Sequence, residues 1–287
     1  MTRTSPAADH HGHGHAGGEP RHGDGLHEDL ELLASRAGAA DPKAVASRRD
    51  ALRLFGGVGV ATLLGSLGGG VGAAFAATPT AEVPTETAGP YPGDGSNGPN
   101  VLDDSGIVRH DIRRSFGSSR TAATGIPLRV NLTVTDAGND YEPIPGAAVY
   151  LWHCDRAGRY SIYDAALEDE NYLRGIAKTD ADGTAWFKTI YPGCYSGRWP
   201  HIHFEVYSSV AKAVASGPIV KTSQIALPKA ACSKVYATSA YAASRSNLKN
   251  ISLASDNVFS DDRAIHQLAT VTGSVAKGFV ANLTIGV

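Results

Sequence analysis

Sulfur, bulky aromatics and excess charge are all scarce in this sequence of 287 residues, which holds 3 Cys, 1 Met, 3 Trp and 7% aromatics. Three cysteines are too few for a disulfide-dense scaffold, and no Cys-x-x-Cys spacing exists to support a cysteine-based zinc site. Charged residues are 19% of the chain and the formal net charge is -2. Beyond residue 76 the balance is 19 Lys+Arg against 20 Asp+Glu. Nucleic acid needs a basic stripe to displace phosphate counterions, so it is excluded as a partner. The 33 Gly follow no triplet repeat and 42% of residues are hydrophobic, which excludes collagen, coiled coil and wholesale disorder.

What is present begins with targeting. Residues 47–53 read Ser-Arg-Arg-Asp-Ala-Leu-Arg, and an uncharged run follows from Leu54 to Ala77, with Ala74-Phe75-Ala76 near its end. The run is long enough for a membrane span. Its glycines, among them Gly56, Gly57, Gly59 and Gly68-Gly69-Gly70, make it weakly apolar and a poor helix. The pattern therefore resembles a twin-arginine export signal at 47–76, cleaved near Ala76, with no stable membrane anchor left behind. Ala51 stands where an aromatic is common. Ahead of the signal, residues 1–46 contain six of the eleven histidines, among Gly, Asp and Pro. They read as a disordered leader removed with the signal, a metal-collecting tract being the alternative. The expected location is extracellular or in the cell envelope, where Cys154, Cys194 and Cys232 allow one disulfide and leave one thiol over.

Residues 77–100 are rich in Pro, Gly, Thr and Asn and read as an extended arm that either wraps on the body or hangs free. Beyond it, strands are expected over Arg129–Thr135, Ala147–Trp152, Thr184–Ile190 and His201–Tyr207, with a closing strand pair between Ala269 and Val287. Pro145-Gly146, Asp182-Gly183 and Pro192-Gly193 mark turns, and 210–250 reads as helical in places. Short strands without alternating helices favour an all-β fold, an antiparallel two-sheet β-sandwich with long loops and a few short helices, occupying 101–287 as one domain. Trp152, Trp186 and Phe204, each mid-strand, are expected in its core; His110, His153 and His266 are expected to be structural or exposed.

The chemistry concentrates in Tyr191-Pro-Gly-Cys-Tyr195-Ser-Gly-Arg198-Trp-Pro-His201-Ile-His203-Phe. His-x-His in a strand places both imidazoles on one face, roughly 6.5–7 Å apart along the chain, within reach of one metal ion. Two histidines on a solvated face would look the same. Tyr195, in the Pro-Gly turn upstream, can reach the same ion. A second segment, Trp152-His-Cys-Asp155-Arg-Ala-Gly158-Arg-Tyr160, puts Tyr160 after a glycine turn at a strand end.

Together these segments resemble the intradiol ring-cleavage dioxygenases, the protocatechuate and catechol family. Members read Trp-x-x-Asn/Asp-x-x-Gly-x-Tyr, then Thr-Ile-x-Pro-Gly-x-Tyr, then Arg-x-x-His-Ile-His-Phe. The matching residues are Trp152, Asp155, Gly158 and Tyr160, then Thr189 to Tyr195, then Arg198 and His201 to Phe204, with Thr87-Ala-Gly89-Pro90-Tyr91 matching in the arm. The resemblance implies Fe(III) held by Tyr160, Tyr195, His201 and His203, with hydroxide as a fifth ligand. Two phenolates and a hydroxide neutralise a trivalent ion, and phenolate-to-iron charge transfer would colour the protein. A catechol would bind as a dianion, displacing hydroxide and Tyr195, and O2 would be inserted between the two hydroxyl-bearing carbons to give a cis,cis-muconate. Tyr195 would act as a base and Arg198 would stabilise charge on the ring. Gly89, Pro90, Tyr91 and Gln224 are candidate substrate contacts, each with a plain structural alternative.

Trp199-Pro200 replaces the family's more usual Pro-Ala, which leaves the preferred catechol open. The helical dimerisation domain of catechol-type members has only a short arm in its place, so a monomer or small homo-oligomer is expected. Two other readings remain: a secreted β-sandwich that binds a ligand or carbohydrate and keeps a structural metal, and a zinc or copper hydrolase or oxidase using only His201 and His203. Replacing Arg48 and Arg49 by lysine is expected to hold the product inside the cell, read by immunoblotting of cells and medium. Efficient secretion of the doubly substituted chain would contradict the twin-arginine route.

Overall fold

The computed structural model describes residues 81–287. The expected leader (1–46), the export signal (47–76) and the start of the arm lie outside the described residues. Among the described residues, no helix is long and apolar enough to cross a membrane.

Strand β1 (Pro127–Asp136) sets the first sheet. Leu128, Val130, Leu132 and Val134 point inward and are buried, while Arg129, Asn131 and Thr133 alternate outward, as a half-buried strand requires. It pairs antiparallel with the short β2 (Glu142–Pro143) and with β5 (Thr184–Ile190). On its other side it pairs with β9 (Gly278–Gly286), which forms a hairpin with β8 (Thr270–Ser274). The second sheet runs β4 (Arg174–Lys178), β3 (Ala148–Trp152), β6 (His201–Tyr207), β7 (Ile219–Ala226). The two central strands, β3 and β6, are buried along their whole length.

The two-sheet, mostly β architecture agrees with expectation, and the helical content is confined to α1 (Val210–Val214), α2 (Lys229–Tyr236), a 3-10 turn (Ser239–Tyr241) and α3 (Ala242–Leu248). One feature differs. The β1–β9 pair is parallel, with Leu128 opposite Phe279 and Thr135 opposite Gly286. The chain leaves the sheet after β5 and returns only after β6, β7 and the helices, and a long connection of that kind is what parallel pairing needs. Strand β4 was not anticipated, because Arg-Gly-Ile-Ala-Lys carries little alternation and a charge at each end.

The arm wraps. Val83 N donates to Gly286 O and Glu86 N to Thr222 O, both at 2.9 Å. The buried Arg174 donates from Nη1 to the carbonyls of Tyr91 and Pro92, both at 2.9 Å, and from Nη2 to Ser161 O at 3.0 Å.

Two expectations are corrected. All three cysteines are free and buried. The three thiols turn toward different carbonyls, Gly193 for Cys154, Arg198 for Cys194 and Leu227 for Cys232, and burial pushes each of them up, Cys194 and Cys232 to about 12. Trp186 is not core: it occupies an outward position of β5, stacks on the exposed His110 at 4.0 Å and lies under the Arg129 guanidinium at 4.3 Å. Trp152 and Phe204 are fully buried, as expected.

The interior between the sheets is filled by Leu132, Phe187, Val149, Leu151, Ile202 and Phe204. Leu132→Ala is expected to lower the unfolding free energy by about 2–5 kcal/mol, measured by urea titration. A loss below roughly 0.5 kcal/mol, the level of an exposed site, would contradict its place in this core.

Candidate metal centre

Strand β6 carries the site. His201 and His203 are two residues apart on one face, and their Nε2 atoms approach to 3.1 Å. Both rings are buried, and burial holds both imidazoles well below their ordinary range, so they are neutral and keep lone pairs. His201 is oriented by Nδ1, which lies 2.5 Å from Trp199 O. A carbonyl only accepts, so Nδ1 carries the hydrogen and Nε2 the lone pair. His203 is held differently: its Nδ1 makes no hydrogen bond, and the ring stacks on Trp152, its cross-strand partner, at 4.9 Å and 9°.

Two loops bring phenols to these nitrogens. Tyr160 Oη lies 3.2 Å from His203 Nε2, and Tyr195 Oη lies 3.2 Å from His201 Nε2. The turn before Tyr160 is built by Asp155, whose Oδ1 accepts from Ala157 N and Arg159 N and whose Oδ2 takes the Arg159 guanidinium. The carbonyl of Asp155 accepts from both Gly158 N and Gly193 N at 3.0 Å, which ties the first loop to the second. Gly158 has φ +88°, and a Cβ there would lie 2.9 Å from Tyr195 Cβ, so glycine lets the two tyrosine loops pack together. The second loop is buttressed from α3: Ser244 Oγ accepts from Cys194 N at 2.9 Å and Asn247 Nδ2 donates to Cys194 O at 2.8 Å. Tyr160 is buried, and burial pushes its phenol well above the usual range; Tyr195 is half-buried on the open side.

This donor set fits a hard cation. Two donors about 2.0–2.1 Å from one ion and roughly at right angles are about 3 Å apart, which matches the observed 3.1 and 3.2 Å edges. In the tautomer with its hydrogen on Nδ1, His203 turns its Nε2 lone pair toward that of His201, an arrangement that a shared cation satisfies. Among the described residues, no group of three or more His, Cys, Asp or Glu comes together to hold a metal, so the phenols are needed to complete any set. Phenol oxygens as anionic donors fit a trivalent ion better than zinc.

Arg198 is buried beside the donors, with Nε 3.0 Å from Asp256 Oδ2 and Nη2 2.6 Å from Gln224 Oε1. Gln224 sits opposite His203 in the β6–β7 register and donates from Nε2 to Thr87 O at 3.0 Å, linking Arg198 to the arm. In the arm itself, Gly89 has φ +71° and a Cβ there would meet His203 Cε1 at 3.3 Å, so a bare backbone lies against the ligand ring. Pro90 accepts from Asn97 through its carbonyl, and the Tyr91 ring packs on Tyr160 at 4.7 Å. The candidate residues Gly89, Pro90, Tyr91, Tyr160, Tyr195, Arg198, His201, His203 and Gln224 thus belong to one contiguous neighbourhood.

Sequence reasoning missed Asp256 and Arg174. Asp256 lies in a polar stretch with no periodic pattern, and Arg174 opens β4, the strand that the sequence did not reveal. His153, set aside as structural, is buried: its Nε2 meets Thr189 Oγ1 at 2.7 Å and burial lowers it to about 4. A separate groove of about 740 Å3 on the outer side of α2 and α3, lined by Lys229, Arg245 and Lys249 among others, contains none of the donor atoms.

A family model described as Dioxygenase matches residues 97–216, a segment that includes both tyrosines, Arg198 and both histidines. The chain is 38% identical to catechol 1,2-dioxygenase 1 of Acinetobacter lwoffii, over 30% of this chain and 33% of that protein. It is 34% identical to the protocatechuate 3,4-dioxygenase beta chain of Burkholderia cepacia, over 37% of this chain and 48% of that protein. The matches therefore span between a third and a half of the length of these curated relatives. The fold is shared with the intradiol ring-cleavage dioxygenase of Tetranychus urticae, with a TM-score of 0.55, 24% identity, and coverage of 72% of this chain and 94% of that one.

Glu86, in the arm, is half-buried and lies near Asp261, Asp262 and Arg198; burial, then the two aspartates, raise its carboxyl from 4.5 to about 7. A folded pKa above the unfolded one contributes stability that is complete below about 4.5 and is lost as pH rises through about 7. Glu86→Gln is therefore expected to leave the melting temperature equal to the parent's near pH 4 and to exceed it above pH 7. Equal melting temperatures across that whole range would contradict the assignment.

Proposed function

The chain belongs to the intradiol ring-cleavage dioxygenase family, and from that premise we propose that it cleaves small catechols between their two hydroxyl-bearing carbons, with O2, to cis,cis-muconate-type products. The observation that carries this reading is the convergence of Tyr160 Oη, Tyr195 Oη, His201 Nε2 and His203 Nε2 in steps of 3.1–3.2 Å. The proposed metal is Fe(III), and the proposed ligands are those four residues. When bound, ferric iron supplies a Lewis-acidic centre that holds both catechol oxygens and makes the ring reactive toward O2.

The chain's own residues divide the remaining work. Tyr195, half-buried, would take a catechol hydroxyl proton at its Oη, while Tyr160, buried, would serve only to hold the ion. Arg198 supplies fixed positive charge toward the ring oxygens in a site of low dielectric. Gly89, Pro90 and Tyr91 wall the donor set and exclude water, with the Gly89 backbone giving close approach beside His203. Gln224 holds that wall to Arg198 through Thr87 O. One catechol and one O2 together contain the atoms of the muconic acid, so no further reductant is needed. The reading with His201 and His203 alone on zinc or copper is disfavoured by a phenol oxygen 3.2 Å from each imidazole. With a twin-arginine-type signal at 47–76, the proposed place of action is outside the cytoplasm, on free plant- or lignin-derived phenols.

Ultraviolet monitoring with an oxygen electrode, over catechol, protocatechuate and hydroxyquinol, is expected to show one O2 consumed per ring opened. Tyr195→Phe is expected to slow turnover roughly 10²–10⁴-fold. A ferric-loaded protein that opens none of these rings would contradict the proposal.

A further inference from the structure

We propose that Asp256 is a positioning residue for this reaction, acting through the Arg198 guanidinium; this rests on the ring-cleavage reading above. Asp256 lies 58 residues beyond Arg198 in the chain and outside the 97–216 segment matched by the family model. Its carboxylate is fully buried. Oδ2 accepts from Arg198 Nε at 3.0 Å and from Trp199 N at 2.6 Å. Oδ1 accepts from Val258 N at 2.9 Å and Phe259 N at 3.0 Å. A carboxylate offers about four acceptor sites, so these four bonds fill it and leave it no freedom to turn.

The guanidinium is gripped on a second edge by Gln224 Oε1, from β7. Phe259, brought in by the same turn as Asp256, lies 5.9 Å from Arg198 Cζ and 6.5 Å from the His201 ring. A guanidinium is a rigid planar fork, so fixing Nε and Nη2 also fixes the direction of Nη1. The arrangement decides where the positive charge points, and the bond to Trp199 N sets the backbone just before His201. The carboxylate also offsets the burial of a cation that, without a partner, would be drawn toward solvent.

The test is kinetic and uses a double-mutant cycle on the iron-loaded full chain. Asp256→Asn keeps the size of the side chain but removes its charge and turns one acceptor into a donor. It is expected to lower kcat by about tenfold to a hundredfold, with KM within about threefold and iron content equal to the parent's. In an Arg198→Met background the same change is expected to cost less than about twofold, because the group it acts through is gone. A kcat within about twofold of the parent for Asp256→Asn, or an equal loss in both backgrounds, overturns the proposal. Should Asp256→Asn yield no folded protein, Asp256→Glu keeps the charge and displaces it by one methylene. A loss of kcat at unchanged iron content is expected there, and an unchanged kcat overturns the proposal. If the parent itself opens no catechol, the ring-cleavage reading fails, and crystal structures of parent and Asp256→Asn then decide the placement of Arg198. A shift of its guanidinium by about 1 Å or more is expected, and an unmoved guanidinium overturns the positioning role.

Discussion

Two neutral imidazole nitrogens facing each other at 3.1 Å in a buried site, each with a phenol oxygen 3.2 Å away, form the constraint on which the rest of the structure depends. Four polar atoms that converge in a dry interior need a proton or a cation to share, and a metal ion satisfies all four at once. Several elements are committed to holding that convergence. The central position of β6 denies the histidines to solvent; Trp199 O and the Trp152 ring each fix one imidazole plane. Two loops deliver the phenols, tied to one another through Asp155 O. The short helices that follow the second sheet gain a purpose in this light, since Ser244 and Asn247 clasp the backbone one residue before Tyr195.

Charge in the interior is arranged around the same point. Two arginines are buried near the donors and are compensated in different ways. Arg198 has a buried carboxylate, Asp256. Arg174 is surrounded by neutral oxygens: the carbonyls of Tyr91, Pro92 and Ser161, and the hydroxyls of Ser161 and Tyr150. Its fork therefore works as a fastener between the arm and the Tyr160 turn, while Arg198 works as an oriented charge. Beyond its backbone bonds at Val83 and Glu86, the arm is fastened by Gln224 at Thr87 and by Arg174 at residues 91–92, and the stretch between those two points lies against the donor set.

The parts legible in the sequence were those in which local pattern and chemistry coincide. Alternation in Leu128–Val134 and the apolar run of Ala147–Trp152 identified a half-buried and a fully buried strand, and His-x-His within a strand fixed the shared face of the imidazoles. Gly158 and Pro192-Gly193 marked the turns that carry the phenols. Contacts that depend on long-range return of the chain were not legible. Asp256 has nothing local to distinguish it from a surface turn aspartate, yet it closes on Arg198 58 residues away. The parallel β1–β9 pairing is likewise a property of the crossover and not of either strand. Trp186 misled because its strand alternates: one residue on either side is buried, and it is not. Cysteine number permitted a disulfide, but the direction of each side chain, which decides it, is set by packing.

The central claim is that two phenolates and two imidazoles hold a ferric ion. Metal analysis combined with the visible absorption spectrum of the purified protein, before and after ferric reconstitution, tests it most directly. The account predicts one iron per chain and a red to burgundy phenolate-to-iron charge-transfer band. A colourless protein that takes up no iron on reconstitution would contradict it.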